Sequence, residues 1–154
     1  MPAKTAVLLL IVMSAGAAGT AMFGPGDPVS VFVSGFTNPC HTSVDRTGNL
    51  YVADVPANTI YRVAPDGSTT VFTDQITSPR SITFDAFGDM LVADAVEGRV
   101  HRVTSQGQVS PFLEVFNARR PRVGPNGDIW VAAVDTLHHF DAMGRPLEHI
   151  DVRS

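Results

Sequence analysis

The sequence predicts an all-β fold built from repeated four-stranded antiparallel sheets, and three observations support this prediction. First, the segment NLYVAD at residues 49–54 returns as DMLVAD at residues 89–94, forty positions later. Second, apolar residues alternate or run in short blocks that Gly, Asp, Asn and Pro interrupt, a pattern typical of strands joined by turns. Third, no segment after the first 21 residues has the length and 3.6-residue period of a helix. A fixed period indicates a repeat architecture, in which each copy folds alike and packs against the next.

Each copy of the repeat predicts three strands with the turns between them, and a fourth strand follows it. The copies cover residues 38–67, 78–107 and 118–144, of which the last has diverged most. DRTGN, DAFGD and GPNGD predict tight hairpins, because glycine adopts the positive φ that larger residues resist. APDG and SQG predict the next hairpin in the first two copies. STTVFTD, QVSPFLEVF and PLEHIDV then supply the fourth strand.

Four antiparallel strands about every forty residues are typical of the blade of a β-propeller, and propellers close with four to eight blades. We therefore predict a partial β-propeller over residues 28–154, with three blades present of about six. The blades are expected at approximately 36–74, 75–115 and 116–154. PVSVFVSG, residues 28–35, resembles an outermost strand and is interpreted as a swapped outer strand. Because PLEHIDV already supplies that strand in the third blade, a partial sequence of a longer propeller is favoured over a half-ring that dimerises head to tail.

The sequence P-x-x-x-x-x-D-x-x-G-N-L-Y-V-A-D, followed by I-Y-R-V-x-P-D-G, resembles the NHL-type blade. It is also similar to blades of the family of gluconolactonases and senescence marker protein 30 (SMP-30). The resemblance extends from Pro28 to about Ser154. It implies an NHL/SMP-30-like propeller that binds a small ligand or a protein on the face around its axis, with a metal-dependent lactone hydrolase or a lyase as the alternative. One blade pattern serves unrelated functions, so the resemblance does not choose between these two.

The SMP-30 resemblance also implies a divalent cation such as Ca²⁺ on the propeller axis. In that family a glutamate in a Glu-Gly-Pro segment before the first blade holds the metal, together with asparagines and an aspartate from later blades. Cys40 occupies the position of that glutamate, and a thiol is a poor ligand for a hard cation. No metal ligand is therefore assigned. The sequence contains no G-x-S-x-G segment, no phosphate-binding glycine loop and no paired Cys or His at zinc spacing.

Residues 1–21 have the layout of a secretory signal peptide, with Lys4 followed by an apolar run and then by small residues. We predict cleavage near Ala21, a linker over residues 22–27, and a secreted or periplasmic protein. The alternative is an uncleaved membrane anchor, since no charge lies between Lys4 and Asp27. The second half of this segment is rich in Gly, Ala, Ser and Thr and is too weakly apolar for a good membrane span.

Composition excludes several partners and mechanisms. Cleavage removes Lys4, which is the only lysine, and leaves ten arginines against fifteen acidic residues, a formal charge of −5. An acidic chain does not fit a nucleic-acid partner, because phosphates select basic surfaces. A chain without lysine cannot use Schiff-base chemistry, and the single Cys40 cannot form an internal disulfide.

Candidate ligand-binding residues come from two loops of each blade that open on one face around the axis of a propeller. These are the leading loop, which precedes the first strand, and the 2–3 loop, which joins the second and third strands. The assigned residues are His41, Asp54, Arg80, Asp94, Arg119 and Arg120, with Asn38, Cys40 and Asp135 as further candidates in the same loops.

Two subsets of these candidates have alternative interpretations. Asp54 and Asp94 recur at the period, which favours a role as acceptors of turn N–H groups over contact with a ligand. Arg80, Arg119 and Arg120 predict a cationic spot for a planar anion such as a carboxylate or a sulfate. The alternative is that these arginines form ion pairs with Asp54, Asp94 or Asp135 of neighbouring blades.

The alternating pattern also predicts which side chains are packed between blades. Those predicted to be buried are Val44, Val52, Ile82, Val92 and Trp130. His101 and His138 align with Tyr61 of the first copy and are predicted to pack on a strand face, whereas His139 is predicted to be exposed. Open blade edges predict self-association of the chain.

Overall fold

The computed structural model describes residues 12–14 and 32–151, with side chains described for residues 32–147. Every regular element in these ranges is a strand, and none of them is a helix that could cross a membrane. The strands are β1 (Val12–Ser14), β2 (Val33–Phe36), β3 (Pro39–Val44), β4 (Leu50–Asp54), β5 (Thr59–Val63), β6 (Thr69–Thr73), β7 (Pro79–Phe84), β8 (Met90–Asp94), β9 (Arg99–Val103), β10 (Val109–Glu114), β11 (Arg120–Val123), β12 (Ile129–Ala132), β13 (Thr136–Phe140) and β14 (Pro146–Asp151).

Twelve of these strands form three four-stranded antiparallel sheets, which are the three predicted blades. The strand orders are β3-β4-β5-β6 in blade one, β7-β8-β9-β10 in blade two and β11-β12-β13-β14 in blade three. The first strands lie side by side, with β7 in contact with both β3 and β11, as the innermost strands of a propeller do. The predicted all-β fold of four-stranded blades is confirmed.

The first hairpin of each blade shows how local sequence determines the fold. The Asp45 carboxylate accepts the backbone N–H of Thr47 at 2.8 Å and that of Asn49 at 2.9 Å. Gly48 completes the turn with a φ of 87°, a value that a side chain would strain. Asp85 accepts the equivalent N–H groups in blade two. The repeated Asp and Gly of the sequence therefore close the same hairpin twice.

Two hydrophobic clusters fill the spaces between adjacent blades. Ile82 and Val92 are 2% and 0% exposed between blades one and two, which confirms their predicted burial. The cluster between blades one and two contains Tyr51, Ala53, Ile60, Ile76, Ile82, Met90, Val92 and Val103. The cluster between blades two and three contains Leu91, Ala93, Val100, Leu113, Val115, Ala118, Ile129, Val131 and Phe140. Blade two is thus covered on both faces.

Blade one is covered on its other face by the segment that precedes it. Leu50, Val52 and Val63 form a buried cluster with Phe36 of β2, and β2 pairs in parallel with β1. Val52 is fully buried, as predicted. The predicted signal peptide and linker lie outside the described residues apart from β1, as does most of the predicted swapped outer strand, and these assignments stay predictions.

Val44 was predicted to be buried, but it is 58% exposed. The repeat supplies the physical reason. Its counterpart Phe84 packs on Tyr51 of the preceding blade, with 5.4 Å between the ring centroids. Among the described residues no blade precedes blade one, so Val44 lacks the surface on which Phe84 packs.

Trp130 and His139 also differ from their predictions, and their two rings contact each other. Trp130 is half-buried rather than buried, because no described blade covers its face. The predicted exposure of His139 is wrong, since its side chain is only 16% exposed. Its imidazole stacks on the Trp130 indole with a centroid separation of 3.7 Å. Both rings also contact the Asp128 carboxylate, at 2.9 Å from His139 Nε2 and 2.7 Å from Trp130 Nε1.

Candidate functional site

The leading loops of blades two and three border an open cleft of about 310 Å³. Two of the predicted arginines, Arg80 and Arg119, line this cleft, and they come from different blades. Its other lining residues are Ala95, Asn117 and Ala118. Ala95 belongs to the 2–3 loop of blade two, so leading loops and a 2–3 loop meet at this cleft.

The arginines of these loops are exposed, and they form no ion pair with the aspartates that recur in the repeat among the described residues. Arg80, Arg119 and Arg120 are all solvent-exposed. Within the described part of the chain, none of them forms an ion pair with Asp54 or Asp94. The predicted alternative named Asp54, Asp94 and Asp135 as ion-pair partners; ion pairs with Asp54 and Asp94 are not observed among the described residues, and the alternative with Asp135 stays a prediction.

His41 lies in β3, beside the first strand of blade two. Its Nδ1 accepts the backbone N–H of Ile82 at 3.2 Å, so the neutral ring carries its proton on Nε2. Burial lowers the pKa of His41, and the positive charges of Arg122 and Arg120 lower it further. His41 is therefore a neutral hydrogen-bond donor near the arginines of β11.

Cys40 is held as a thiol. Its Sγ donates to the carbonyl of Pro79 at 3.4 Å. Desolvation by burial raises the pKa of Cys40, against the opposing charge of Arg80. A thiol with a raised pKa is a weak nucleophile and a weak metal ligand, so this residue joins blades one and two rather than supplying chemistry.

Asp54 and Asp94 occupy equivalent positions but have different partners. Asp54 is fully buried, with Oδ2 accepting the N–H of Thr37 at 2.6 Å and Oδ1 that of Asn38 at 3.0 Å. Both of its oxygens therefore fix the leading loop of blade one. The candidate Asn38 contacts Asp54 through its backbone N–H.

Asp94 uses only one carboxylate oxygen for the backbone. Oδ1 accepts the N–H groups of Val96 at 2.8 Å and Glu97 at 2.9 Å. Oδ2 is buried without a hydrogen-bond partner among the described residues and lies 3.9 Å from Nε2 of His101. That Nε2 is also 3.3 Å from Oε2 of Glu97. The predicted packing position of His101 is confirmed, at 5% exposure, but its polar neighbours are carboxylates.

Exposed apolar side chains stand on the loops around the cleft. Val96, in the 2–3 loop of blade two, is 69% exposed, and Phe116, just before Asn117, is 82% exposed. The Phe116 ring lies against Gly98, where an added Cβ would approach it to 3.3 Å. In the 2–3 loop of blade three, Asp135 accepts a hydrogen bond from the Thr136 hydroxyl at 3.1 Å.

A second cleft, of about 350 Å³, lies by the hairpin of blade one that contains Asp45. Four of its polar side chains, those of Asp45, Thr47, Asn49 and Tyr51, hydrogen-bond one another. Burial opposes ionisation of Asp45, but hydrogen bonds from Asn49 and Thr47 prevail and hold its pKa at about 2. The Tyr51 hydroxyl also lies 3.2 Å from this carboxylate. The hydrogen-bonding groups on the Asp45 side of this cleft therefore serve the hairpin itself.

The structure thus brings Arg80 and Arg119 together and places Arg120 near His41, whereas Asp54 is fully engaged with backbone. Sequence reasoning missed Arg122, which the alternation in Arg-Pro-Arg could have placed on the same face of β11 as Arg120. It also missed Glu97 as a partner of His101. The first copy of the repeat has Ala57 at the position of Glu97 and Tyr61 at the position of His101. This departure from the repeat was the available signal.

No protein-family model matches the chain, and no curated protein matches it. Solved structures do match. Virginiamycin B lyase from Staphylococcus aureus aligns with 76% of this chain and 42% of its own, at 17% identity and a TM-score of 0.64. A gluconolactonase from Xanthomonas campestris aligns with 75% of this chain and 48% of its own, at 19% identity and a TM-score of 0.66.

A third similar structure is regucalcin from Agrobacterium tumefaciens, described as a calcium-binding protein. It aligns with 72% of this chain and 44% of its own, at 22% identity and a TM-score of 0.59. The chain spans less than half the length of each of these three proteins. The chain therefore has the fold of part of an SMP-30/gluconolactonase-like and virginiamycin B lyase-like β-propeller.

Proposed function

We propose that the chain forms part of an exported propeller that binds an anionic small molecule on the face around its axis. The observation that carries this proposal is the cleft that Arg80 and Arg119 line from two adjacent blades. Guanidinium groups pair with planar oxyanions in forked hydrogen bonds, so a carboxylate or a sulfate is the expected ligand group. Because the whole chain carries a formal charge of −4, it does not attract anions at long range. Binding of an anion therefore depends on direct contact with these arginines.

The surroundings of the cleft favour a ligand with an apolar part. Phe116 and Val96 present exposed apolar surface on the neighbouring loops. Ligand sites commonly combine apolar walls with a few polar groups that fix orientation. Because Val96 and Phe116 adjoin the lining residues Ala95 and Asn117 in sequence, we expect a carboxylate or sulfate that carries an aliphatic or aromatic group to bind more tightly than an inorganic anion.

The test is to titrate the chain with sulfate, acetate and benzoate and to measure heat of binding. We expect benzoate to bind more tightly than acetate, and Arg80→Gln and Arg119→Gln each to weaken binding by about 1.5–3 kcal/mol, the range for a hydrogen bond to a charged group. Arg145→Gln is the matched control, since Arg145 is exposed and lies outside the cleft. The melting temperature is expected to stay nearly unchanged in all three variants. Equal anion affinity in the cleft variants and the control would contradict the proposal.

A metal-dependent lactone hydrolase or lyase is the second candidate, and the likeness to a gluconolactonase and to virginiamycin B lyase favours it. The described axial residues do not fit the calcium site that such a likeness suggests. Cys40 is a thiol with a raised pKa, and Arg80 and Arg119 are cations, whereas Ca²⁺ takes six to eight oxygen ligands. Calcium-dependent hydrolysis of gluconolactone by the chain would support this candidate over simple anion binding.

Export is part of the proposal and rests on the leader-like residues 1–21. A bacterial host that expresses the chain should release it to the periplasm or the medium. Deletion of residues 2–21 should leave the protein inside the cell. Retention of the full-length chain in the membrane fraction would favour the uncleaved anchor.

A further inference from the structure

Three potential metal ligands from blade two converge beside the 2–3 loop. Asp94 ends β8, Glu97 belongs to the loop and His101 lies in β9. One ligand atom from each of them falls within 4.8 Å of the others. Within the described part of the chain, this is the one set of three His, Cys, Asp or Glu side chains that meets in this way.

The repeat shows that these ligands are not needed to build a blade. Blade one has the same aspartate, Asp54, but Ala57 and Tyr61 replace the other two residues. Both oxygens of Asp54 accept backbone N–H groups. In blade two the equivalent Oδ2 of Asp94 has no hydrogen bond. The hairpin therefore forms without the glutamate and the histidine, and an oxygen that blade one uses is left available in blade two.

The atoms that remain available are buried, and leaving a buried polar atom without a partner costs free energy. Asp94 is 0% exposed and His101 is 5% exposed. Oδ2 of Asp94 and both ring nitrogens of His101 are buried without a hydrogen bond among the described residues. Buried polar atoms nearly always have a partner, and a buried carboxylate in particular requires a cation or a set of donors. The unpartnered Oδ2 of Asp94, with Nε2 of His101 beside it, therefore points to a bound cation.

We propose that Asp94, Glu97 and His101 bind a divalent transition metal, with Zn²⁺ the best match. Ligands about 2.0–2.1 Å from a tetrahedral Zn²⁺ lie about 3.3–3.4 Å from one another. Nε2 of His101 is 3.3 Å from Oε2 of Glu97 and 3.9 Å from Oδ2 of Asp94. The first separation already fits, and the second requires the His101 ring to move toward Asp94 by about 0.5 Å, which the exposed Glu97 side chain can follow. The imidazole selects Zn²⁺ over Ca²⁺, which takes oxygen ligands. Three protein ligands leave the fourth tetrahedral position for water or a ligand.

The neighbouring arginine does not prevent this. Arg99 Nε lies 3.5 Å from Oε2 of Glu97, but Arg99 Nη1 also lies 3.6 Å from Oε1 of Glu114. When Glu97 turns to the metal, Glu114 remains as a partner for Arg99. The site lies on the second and third strands of one blade, apart from the innermost strands that carry His41 and Arg120.

The experiment is a calorimetric titration of the full chain with ZnCl₂ and, separately, with CaCl₂. We expect one Zn²⁺ per chain and much weaker binding of Ca²⁺. His101→Tyr introduces the residue that blade one has at this position, and Glu97→Gln changes an exposed side chain, so both variants should fold. Each should weaken Zn²⁺ binding by at least about 10- to 100-fold, the loss that follows from removing even an outer-shell partner.

Two matched controls separate this site from adventitious zinc binding. His138→Tyr makes the same substitution at the equivalent position of blade three, where Ala133 replaces the aspartate. Asp74→Asn removes an exposed carboxylate that does not belong to this cluster. Both controls should bind Zn²⁺ as the unaltered chain does. Zn²⁺ affinity that is unchanged in His101→Tyr and Glu97→Gln, or no binding at all, would overturn the proposal. The anion affinity of the arginine cleft is measured independently, so either proposal can fail alone.

Discussion

Replacing Arg102 with methionine is expected to destabilise the fold by about 2–4 kcal/mol, because it removes the cation from a buried carboxylate. Arg102 Nη2 lies 2.9 Å from Oδ2 of Asp85, whose side chain is only 1% exposed. The guanidinium also lies 3.8 Å from the centroid of the Phe112 ring. Its Nη2 donates to the carbonyl of Ala142, 3.2 Å away in blade three. One side chain thus joins a hairpin of blade two to the outer turn of blade three.

The magnitude follows from the burial of the two partners. Leaving a fully buried charge without its partner costs about 3–5 kcal/mol, whereas a fully exposed ion pair is worth about 0–1 kcal/mol. Arg102 is 21% exposed, so water partly compensates Asp85 after the substitution. Loss of the cation–π contact adds about 1 kcal/mol. Methionine keeps the apolar stem, so little packing is lost.

Thermal or urea unfolding measures this effect, and blade one supplies the control. Arg62 is the counterpart of Arg102 and is exposed, so Arg62→Met should change stability by less than about 0.5 kcal/mol. Arg102→Met should lower the melting temperature by roughly 6–12 °C, at about 3 °C per kcal/mol for a chain of this size. Asp85→Asn and the double variant complete a cycle, and we expect a coupling of about 1–3 kcal/mol. If Arg102→Met is no more harmful than Arg62→Met, the reasoning from burial is refuted.

Three further predictions concern acid stability, association and processing. Although burial opposes it, hydrogen bonds hold the pKa of Asp45 at about 2 against a usual 3.8, so its stabilising contribution is complete above about pH 4 and is lost as pH falls toward 2. Asp45→Asn should flatten this acid transition, and the exposed control Asp74→Asn should not. The half-buried face around Trp130 should make the chain oligomeric or poorly soluble by light scattering, and a cooperatively unfolding monomer would contradict this. Amino-terminal sequencing of exported protein should begin near residue 22, and an intact first residue would favour the anchor.

The strands and turns were predictable because they depend on residues close in sequence. The Asp45 carboxylate and Gly48 close a hairpin within five residues, and the copy at Asp85 repeats the same bonds. Such local chemistry repeats with the period. Burial of Ile82 was predictable for a related reason, because the repeat indicates that a similar blade packs beside it.

Contacts that depend on substitutions in two neighbouring strands were not predictable. The exposure of His139 was inferred from its counterparts Arg62 and Arg102, but Trp130 lies opposite His139 in the register of β12 and β13. The indole offers a flat surface that Leu91 does not offer in blade two. His139 therefore stacks on the indole. The prediction for His139 used only the counterparts of that position, so it could not anticipate a second change at the position of Trp130 on the neighbouring strand.

Blade two is the part of the chain in which a binding site can be rigid. Leu91 and Val92 point to opposite faces of β8, and both are 0% exposed because blades three and one pack on them. A site works best when its side chains are held by packed elements, and Arg80, Glu97 and His101 all belong to this blade. Blades one and three each lack a second neighbouring blade among the described residues. The zinc experiment therefore tests a blade that this chain packs on both sides, and the anion experiment tests a cleft between that blade and blade three. An activity that needs the whole ring around the axis depends on blades beyond these three.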